Sequence, residues 1–480
     1  MSPGSALLAR PVRLRALASH GAPLALIGSA AGVLPVPVAL LAGDWRLALG
    51  LGAGSVALAL AGLGGRRLVH ERELRRNEAL VLVALAFVVM SLHTALGYAA
   101  TGMPWRDALF EAVSGVTTTG LSTLADPRAW SDGLLFTRAW SQWYGGLGVI
   151  VFALAIVDNP GVVGRRLYAP VGGELPRHTT RRHARAIVLC YGALTLACWL
   201  LVVAAGGAPF DALLHTLAAV STGGFSPHAD SLAALPGWAE RYAIMVGTLA
   251  GALPVAVVIA VGLRSGGRDV EIRTFALLVA VVGGLLAWRI GAQQGLAWDV
   301  AAREGLLLGI SAQTTTGFAT LSPARLDDAA KLLLCFAMLV GGCLGSTAGG
   351  FNVLRVLIVG RVLQGWLQRT ALPDDALLAD RLGTMTLEQD DVRQVLLLGA
   401  LFSATLGAGW MGLLACGYPA LDALFEAASA LATTGLSVGI TSAAMPDGAA
   451  ALLALLMLLG RVELFALLVL VYPRTWHARR

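Results

Sequence analysis

The chain has 480 residues, 57% of them hydrophobic and 13% charged, with a formal net charge of +6 and a mean hydropathy of +0.73. That composition excludes a soluble globular chain. The arginines cluster between apolar runs, as they do in cytoplasmic loops of polytopic α-helical membrane proteins, which accounts for the positive charge more simply than a nucleic-acid surface does.

A span needs roughly 20 apolar residues. Residues 22–41 and 47–64 supply two near the N-terminus. A basic start followed by an apolar run resembles a signal peptide, but the run reaches span length and a second follows, so it reads as a retained helix. Arginine clusters at Arg10/Arg13/Arg15, 66–76, 165–185, Arg264/Arg268/Arg273 and the C-terminal "HARR" place both termini in the cytoplasm and require an even number of spans.

From residue 76 onward a unit repeats. "DALFEAVSGVTTTG" (107–120) and "DALFEAASALATTG" (422–435) match closely. "DALLHTLAAVSTGG" (211–224) reads as a third copy, one residue shorter before its Thr-Gly, and "EGLLLGISAQTTTG" (304–317) is a divergent fourth. Each lies between full-length apolar runs such as 80–97, 134–156, 186–205 and 452–472. The dozen residues before each Thr-Gly reach only ~18 Å as a helix, little more than half of a ~30 Å hydrocarbon core. Such a segment enters the membrane and turns back. The expected fold is therefore an all-α polytopic membrane protein of ten spans and four re-entrant pore loops: a two-helix extension (1–75) and four span–pore helix–span repeats (76–163, 164–268, 269–370, 371–480) around a central pore.

Irregular backbone at membrane depth is tolerated only where it is buried in protein or lines a watery cavity. Four such loops, rich in glycine and threonine, can form rings of uncharged oxygens that replace the water shell of a cation. The pore helices point their partially negative C-terminal ends at the same place. Rings of Asp or Glu, more typical for a divalent ion, are missing from the loops. Small residues that only let helices pack closely would not recur four times behind half-length helices.

Two further features lie outside the loops. "GGCLGSTAGG" (341–350) interrupts what would be one apolar helix over 332–363, at up to ~1 kcal/mol per glycine relative to alanine. Arg461 lies within the last apolar run, where a charge must face a polar cavity or a partner. Glu463, two residues on, points to another helix face. The five cysteines (Cys190, Cys198, Cys335, Cys343, Cys416) form no CxxC and read as packing residues. The histidines lack ligand spacing, and Trp130, Trp140 and Trp143 read as interfacial aromatics.

Residues 76–476 resemble the TrkH/TrkG/KtrB potassium transporters, and the two extra N-terminal helices resemble the TrkH-like branch. The resemblance implies one filter strand with a key glycine per repeat: Thr118–Thr119–Gly120 with Leu121, Ser221–Thr222–Gly223 with Gly224, Thr315–Thr316–Gly317 with Phe318, and Thr433–Thr434–Gly435 with Leu436. Glycine at position 120, where sodium-carrying relatives have serine, implies preference for K+, the ion bound in the filter. It also implies that 341–350, with Gly345, Ser346, Thr347 and Gly349, is an intramembrane gate loop, and that Arg461 is a positive barrier beside it. Relatives often carry a lysine where this chain has Asn352, with Arg355 nearby. The implied protein resides in the bacterial inner membrane among lipid as a homodimer. Its cytosolic nucleotide-binding regulator is of the TrkA or KtrA kind, and the basic segment 174–187 is a candidate contact.

The chain itself shows no nucleotide-binding glycine pattern and no nucleic-acid partner is expected. Na+ or mixed K+/Na+ permeation is the alternative within this fold. A membrane-embedded hydrolase using Ser114 and His93 would lack an orienting third group and leave the fourfold phrase unexplained. A coupled secondary transporter usually shows inverted repeats, whereas these run in the same sense.

Overall fold

The computed structural model describes residues 11–67, 74–157, 178–254, 269–371, 381–383, 385–387, 389–462 and 464–476. It is mostly helical. Helices α1 (Leu14–Val33), α2 (Val36–Leu41) and α3 (Trp45–Gly65) form the N-terminal extension. Pro35 and Pro37 fall at the break between α1 and α2, because proline cannot donate to the preceding turn. The Asp44 side chain caps α3 by accepting from the Leu47 amide.

Four similar groups follow. The first is α4 (Arg76–Ala100), α5 (Trp105–Val116) and α6 (Asp132–Val157); the second is α7 (His178–Ala204), α8 (Pro209–Val220) and α9 (Trp238–Gly251). The third comprises α10 (Asp269–Gln294), α11 (Trp298–Gln313), α12 (Asp328–Val340) and α13 (Val353–Arg369). The fourth is α14 (Gln389–Ala415), α15 (Ala420–Leu431), α16 (Asp447–Arg461) and α17 (Leu464–Val471), preceded by a small hairpin of β1 (Arg381–Leu382) and β2 (Met385–Thr386). The short helices α5, α8, α11 and α15 begin with an acidic residue in the first turn, Asp107, Asp211, Asp299 and Asp422, which suits the positive end of a helix dipole. A proline precedes or opens three of them.

Six helices among the described residues are long and apolar enough to cross a membrane. They are the two of the extension, counting α1–α2 as one, and the first helix of every repeat. Of the second spans expected from sequence, α6 is one unbroken helix, while the third is split by residues 341–352 into α12 and α13. The fourth is split too, since α16 stops at Arg461 and α17 starts at Leu464. The continuous run expected over 452–472 is thus broken at its arginine.

Apolar side chains that a soluble protein would cover are exposed along the outside, among them Leu41, Leu189, Leu277 and Val471, as a lipid-facing surface requires. Inside, each repeat packs on the next. Leu135, Phe136 and Ala139 meet Leu214 and Leu217; Val202 and Ala219 meet Leu307, Phe318 and Val340. Leu308 and Leu334 meet Phe425 and Ala428, and Leu431 and Leu453 return to Phe110 and Val113. The order 1–2–3–4–1 closes on itself.

The N-terminal extension joins this cycle at the first repeat. Trp140 Nε1 donates to the Ala31 carbonyl at 2.8 Å and stacks on Trp143 at 4.7 Å, while Trp143 Nε1 donates to Thr195 Oγ1 at 2.9 Å. These two tryptophans, expected at the lipid interface, bind helix to helix. Cys198, Cys335 and Cys343 are buried as expected, whereas Cys416 is exposed and Cys190 half-buried.

Candidate functional site

Each short helix ends the same way. In the first repeat the Thr118 amide donates to the Gly115 carbonyl and the Thr119 amide to the Ser114 carbonyl, both at 2.9 Å. Thr222/Gly223, Thr315/Thr316 and Thr433/Thr434 repeat the pair on their own helices. This is a Schellman ending, whose left-handed residue is normally glycine. Here it is threonine four times, with φ of +54° at Thr118, +51° at Thr222, +52° at Thr315 and +50° at Thr433. A β-branched residue at such φ is a genuine outlier, costing roughly 1–2 kcal/mol, and strain of this kind collects where a site requires it.

Two residues later the chain turns again at Gly120 (φ +90°), Gly224 (+76°), Gly317 (+88°) and Gly435 (+91°). A side chain at any of these would strike a neighbouring repeat. A Cβ on Gly120 would fall on the Gly223 carbonyl oxygen, one on Gly224 on that of Thr316, one on Gly317 on that of Thr434, and one on Gly435 on that of Thr119. The contacts run from repeat 1 to 2, 2 to 3, 3 to 4 and 4 back to 1. Four loops therefore meet around one line, with four equivalent carbonyls at one level.

This geometry corrects the register of the second repeat. Its counterpart of Gly120 is Gly224, not Gly223, and its loop is Thr222–Gly223–Gly224 followed by Phe225. Ser221 is the helix cap, its hydroxyl turned back to the Leu217 carbonyl at 2.8 Å, as Thr117 and Thr314 turn back to Val113 and Ile310. Phe225 is buried at the position of Leu121, Phe318 and Leu436. The two copies 107–120 and 211–224 have equal length, so an ungapped match would have found Phe225.

Behind the loops stand polar side chains that the sequence reading missed. Glu111, fully buried, accepts from Ser122 Oγ at 2.7 Å and the Thr123 amide at 2.6 Å, and pairs with Arg138 Nε at 3.0 Å. The guanidinium of Arg138 also lies 4.0 Å from the Phe225 ring centroid. Glu426, at the matching place in repeat 4, accepts from Ser437 Oγ at 2.8 Å, the Thr441 amide at 3.0 Å and the Thr441 hydroxyl. His215 takes that place in repeat 2, its Nε2 3.1 Å from Ser226 Oγ. The signal was present: residue nine before each of three key glycines is Glu, His and Glu.

Residues 341–352 lie directly against the ring. Thr347 Oγ1 donates to the carbonyls of Gly251 (2.9 Å) and Val220 (3.1 Å), the latter the last residue of α8. Thr222 Oγ1 approaches Thr347 Oγ1 at 3.3 Å. The Gly349 amide donates to Thr315 Oγ1 at 2.7 Å, and a Cβ on Gly349 would meet the Ala432 carbonyl and Thr433 Oγ1. The loop thus touches three of the four repeats. Gly345 (φ +81°) makes its turn, and Ser346 is folded onto the Cys343 carbonyl at 2.6 Å. From outside, Glu271 at the start of α10 accepts the Leu344 amide at 2.7 Å. Asn352 takes φ +78° with ψ +141°, outside the left-handed helical well and strained for any residue with a side chain.

Arg461, 5% exposed, donates through Nη1 to the Thr347 carbonyl at 2.6 Å. Its Nε and Nη2 are buried with no hydrogen-bond partner among the described residues. Glu463 lies outside the described residues, as do residues 174–177 of the basic segment and the terminal 477–480. His93 is engaged by Ser55 Oγ (3.0 Å) and the Leu51 carbonyl (3.2 Å), while Ser114 Oγ makes no hydrogen bond among the described residues. The serine–histidine pair of the hydrolase reading is not formed.

The profile of the TrkH family, described as cation transport protein, matches residues 56–282 and 293–477. The chain belongs to the TrkH family. Among curated TrkH-family relatives, the Trk system potassium uptake protein TrkH of Vibrio parahaemolyticus is 31% identical over 431 residues, 85% of this chain and 88% of that one. TrkI of Halomonas elongata is 31% identical across 90% of both chains, and TrkH of Escherichia coli 30% identical across 84% and 87%. The crystal structure of the potassium transporter TrkH from Vibrio parahaemolyticus superposes with a TM-score of 0.87 at 27% identity, covering 97% of this chain and all of that one. TrkH-family proteins are transporters and not enzymes. Family membership and six span-length helices make this a multi-pass membrane protein.

Proposed function

We propose that the chain mediates potassium uptake across the bacterial inner membrane, with ions passing along the line where the four loops meet. One observation carries this reading: the cycle of glycine-to-carbonyl contacts from repeat to repeat. Uncharged carbonyl oxygens at one level, with the hydroxyls of Thr118 and Thr433 buried nearby and without a hydrogen-bond partner among the described residues, suit a monovalent cation that must be dehydrated and released again. The C-terminal ends of four helices add negative potential there. The named relatives are potassium uptake proteins, which favours K+ over Na+.

On this reading Thr118–Gly120, Thr222–Gly224, Thr315–Gly317 and Thr433–Gly435 form the filter, and residues 341–352 obstruct the path beneath it. Arg461 adds a positive barrier. The four repeats with their extension make ten spans and four re-entrant loops, with boundaries near residues 75, 163, 268 and 370 and both termini cytoplasmic. A Trk system implies a cooperating regulatory component; a TrkA-like nucleotide-binding subunit and a homodimer are its expected form, this chain binding no nucleotide itself.

Complementation of a potassium-uptake-deficient bacterium tests the reading, with K+ and Na+ flux into proteoliposomes measured on the same protein. Wild type supports growth at low K+ and Gly435→Asp does not. Equal growth of the two would overturn the filter assignment, and flux of Na+ equal to or above K+ would replace the ion.

A further inference from the structure

One ring position breaks the fourfold rule. Thr119, Thr316 and Thr434 are matched in the second repeat by Gly223, which has no positive φ. Its backbone would accept a side chain; its surroundings would not. A Cβ on Gly223 would run into the carboxamide of Gln142. Gln142 is fully buried on α6 of the preceding repeat. Its Nε2 donates to the Gly223 carbonyl at 2.6 Å and its Oε1 accepts from the Phe225 amide at 3.0 Å. That carbonyl is the one against which Gly120 packs.

The other three repeats hold this level with threonine. Thr119 and Thr316 hydroxyls bond Thr117 and Thr314 within their own loops, both at 2.8 Å. Thr434 has no such partner because Ala432 stands at its cap. Repeat 2 alone, among the described contacts, has its ring carbonyl held by a side chain from a neighbouring repeat.

We infer that Gln142 is a specificity-determining positioning residue: it takes the side-chain space of Gly223 and sets where that carbonyl stands in the ring. The inference rests on the proposed potassium pathway for its consequence and on packing alone for its cause. A carbonyl whose oxygen is already held by the Gln142 amide cannot follow a smaller ion inward, so the clamp favours K+ over Na+.

Two measurements on the full chain in detergent and liposomes test it. Gln142→Ala lowers the K+/Na+ flux ratio by about fivefold, the worth of one hydrogen bond. Gly223→Thr collides with the clamp and lowers the thermal midpoint. Combining Gly223→Thr with Gln142→Ala restores the midpoint towards wild type, because the new hydroxyl finds room and Ser221 beside it. Additive losses in the double variant, or a Gln142→Ala protein whose K+/Na+ ratio equals that of wild type, would overturn the inference. A wild-type protein without K+ flux would instead sink the pathway reading, while the midpoint coupling still decides whether Gln142 fixes Gly223.

Discussion

At Gly120, Gly224, Gly317 and Gly435 two constraints coincide: a positive φ and a carbonyl oxygen where a Cβ would stand. Gly223 meets neither in the same way, and its glycine answers to Gln142. The string "STGG" alone does not distinguish the two glycines; the ungapped match to 107–120 does, and dihedrals and a partner 81 residues away give the reason. The threonines before the key glycines were legible as a repeated motif; their left-handed backbone was not, since threonine disfavours it. Arg138 illustrates what residue identity alone conceals. Nothing in its local sequence marks it out, yet it is the cation paired with a fully buried Glu111. Arg138→Met leaves that carboxylate without its partner and should cost about 3–5 kcal/mol, seen as a lower thermal midpoint in detergent. Adding Glu111→Gln should recover part of the loss; an unchanged midpoint for the single variant would refute the pairing's importance.

Among the elements, the interrupted third-repeat helix was the easiest to foresee, because five glycines within ten residues defeat a helix. Of its contacts only Arg461 was implied by the family resemblance; Glu271 and Gly251 lie far away in sequence and converge on the loop only through packing. The break at Arg461 has the same origin: an apolar run signals a span but not where a polar loop will draw the backbone aside. If the loop closes the path, its hydrogen bonds set the balance between shut and open. A bond from a charged donor contributes about 1.5–3 kcal/mol, so Arg461→Gln should raise K+ flux into liposomes lacking any partner protein by roughly tenfold or more. Thr347→Val should act in the same direction and less. Flux equal to or below wild type in both variants would contradict the closing role.

For the whole molecule, composition and repetition revealed the membrane class and the four quarters, but not their cyclic order, which arises from which helix faces complement each other. Ion pairs near the starts of the short helices reinforce the order: Arg128 with Asp211, Lys331 with Asp422 at 2.8 Å, and Arg106 with Asp447 at 3.3 Å. Such partly exposed pairs are worth only about 0–1 kcal/mol each, so apolar burial dominates. The N-terminal extension touches the cycle from outside, through the indole of Trp140 among other contacts. Trp140→Phe removes that donor and should lower stability by about 1 kcal/mol while leaving the K+/Na+ ratio unaltered. A shifted ratio would mean the extension reaches the filter.

The seam between Gly435 and the Thr119 carbonyl joins the last quarter to the first. Chains are synthesised and begin to fold from the N-terminus, so three quarters enter the bilayer before the fourth exists. Until it arrives the aperture has an open side and only three of its oxygens. If ions pass where the four loops meet, a half-made molecule lacks a formed conduit, and the cell is spared a leak during biogenesis.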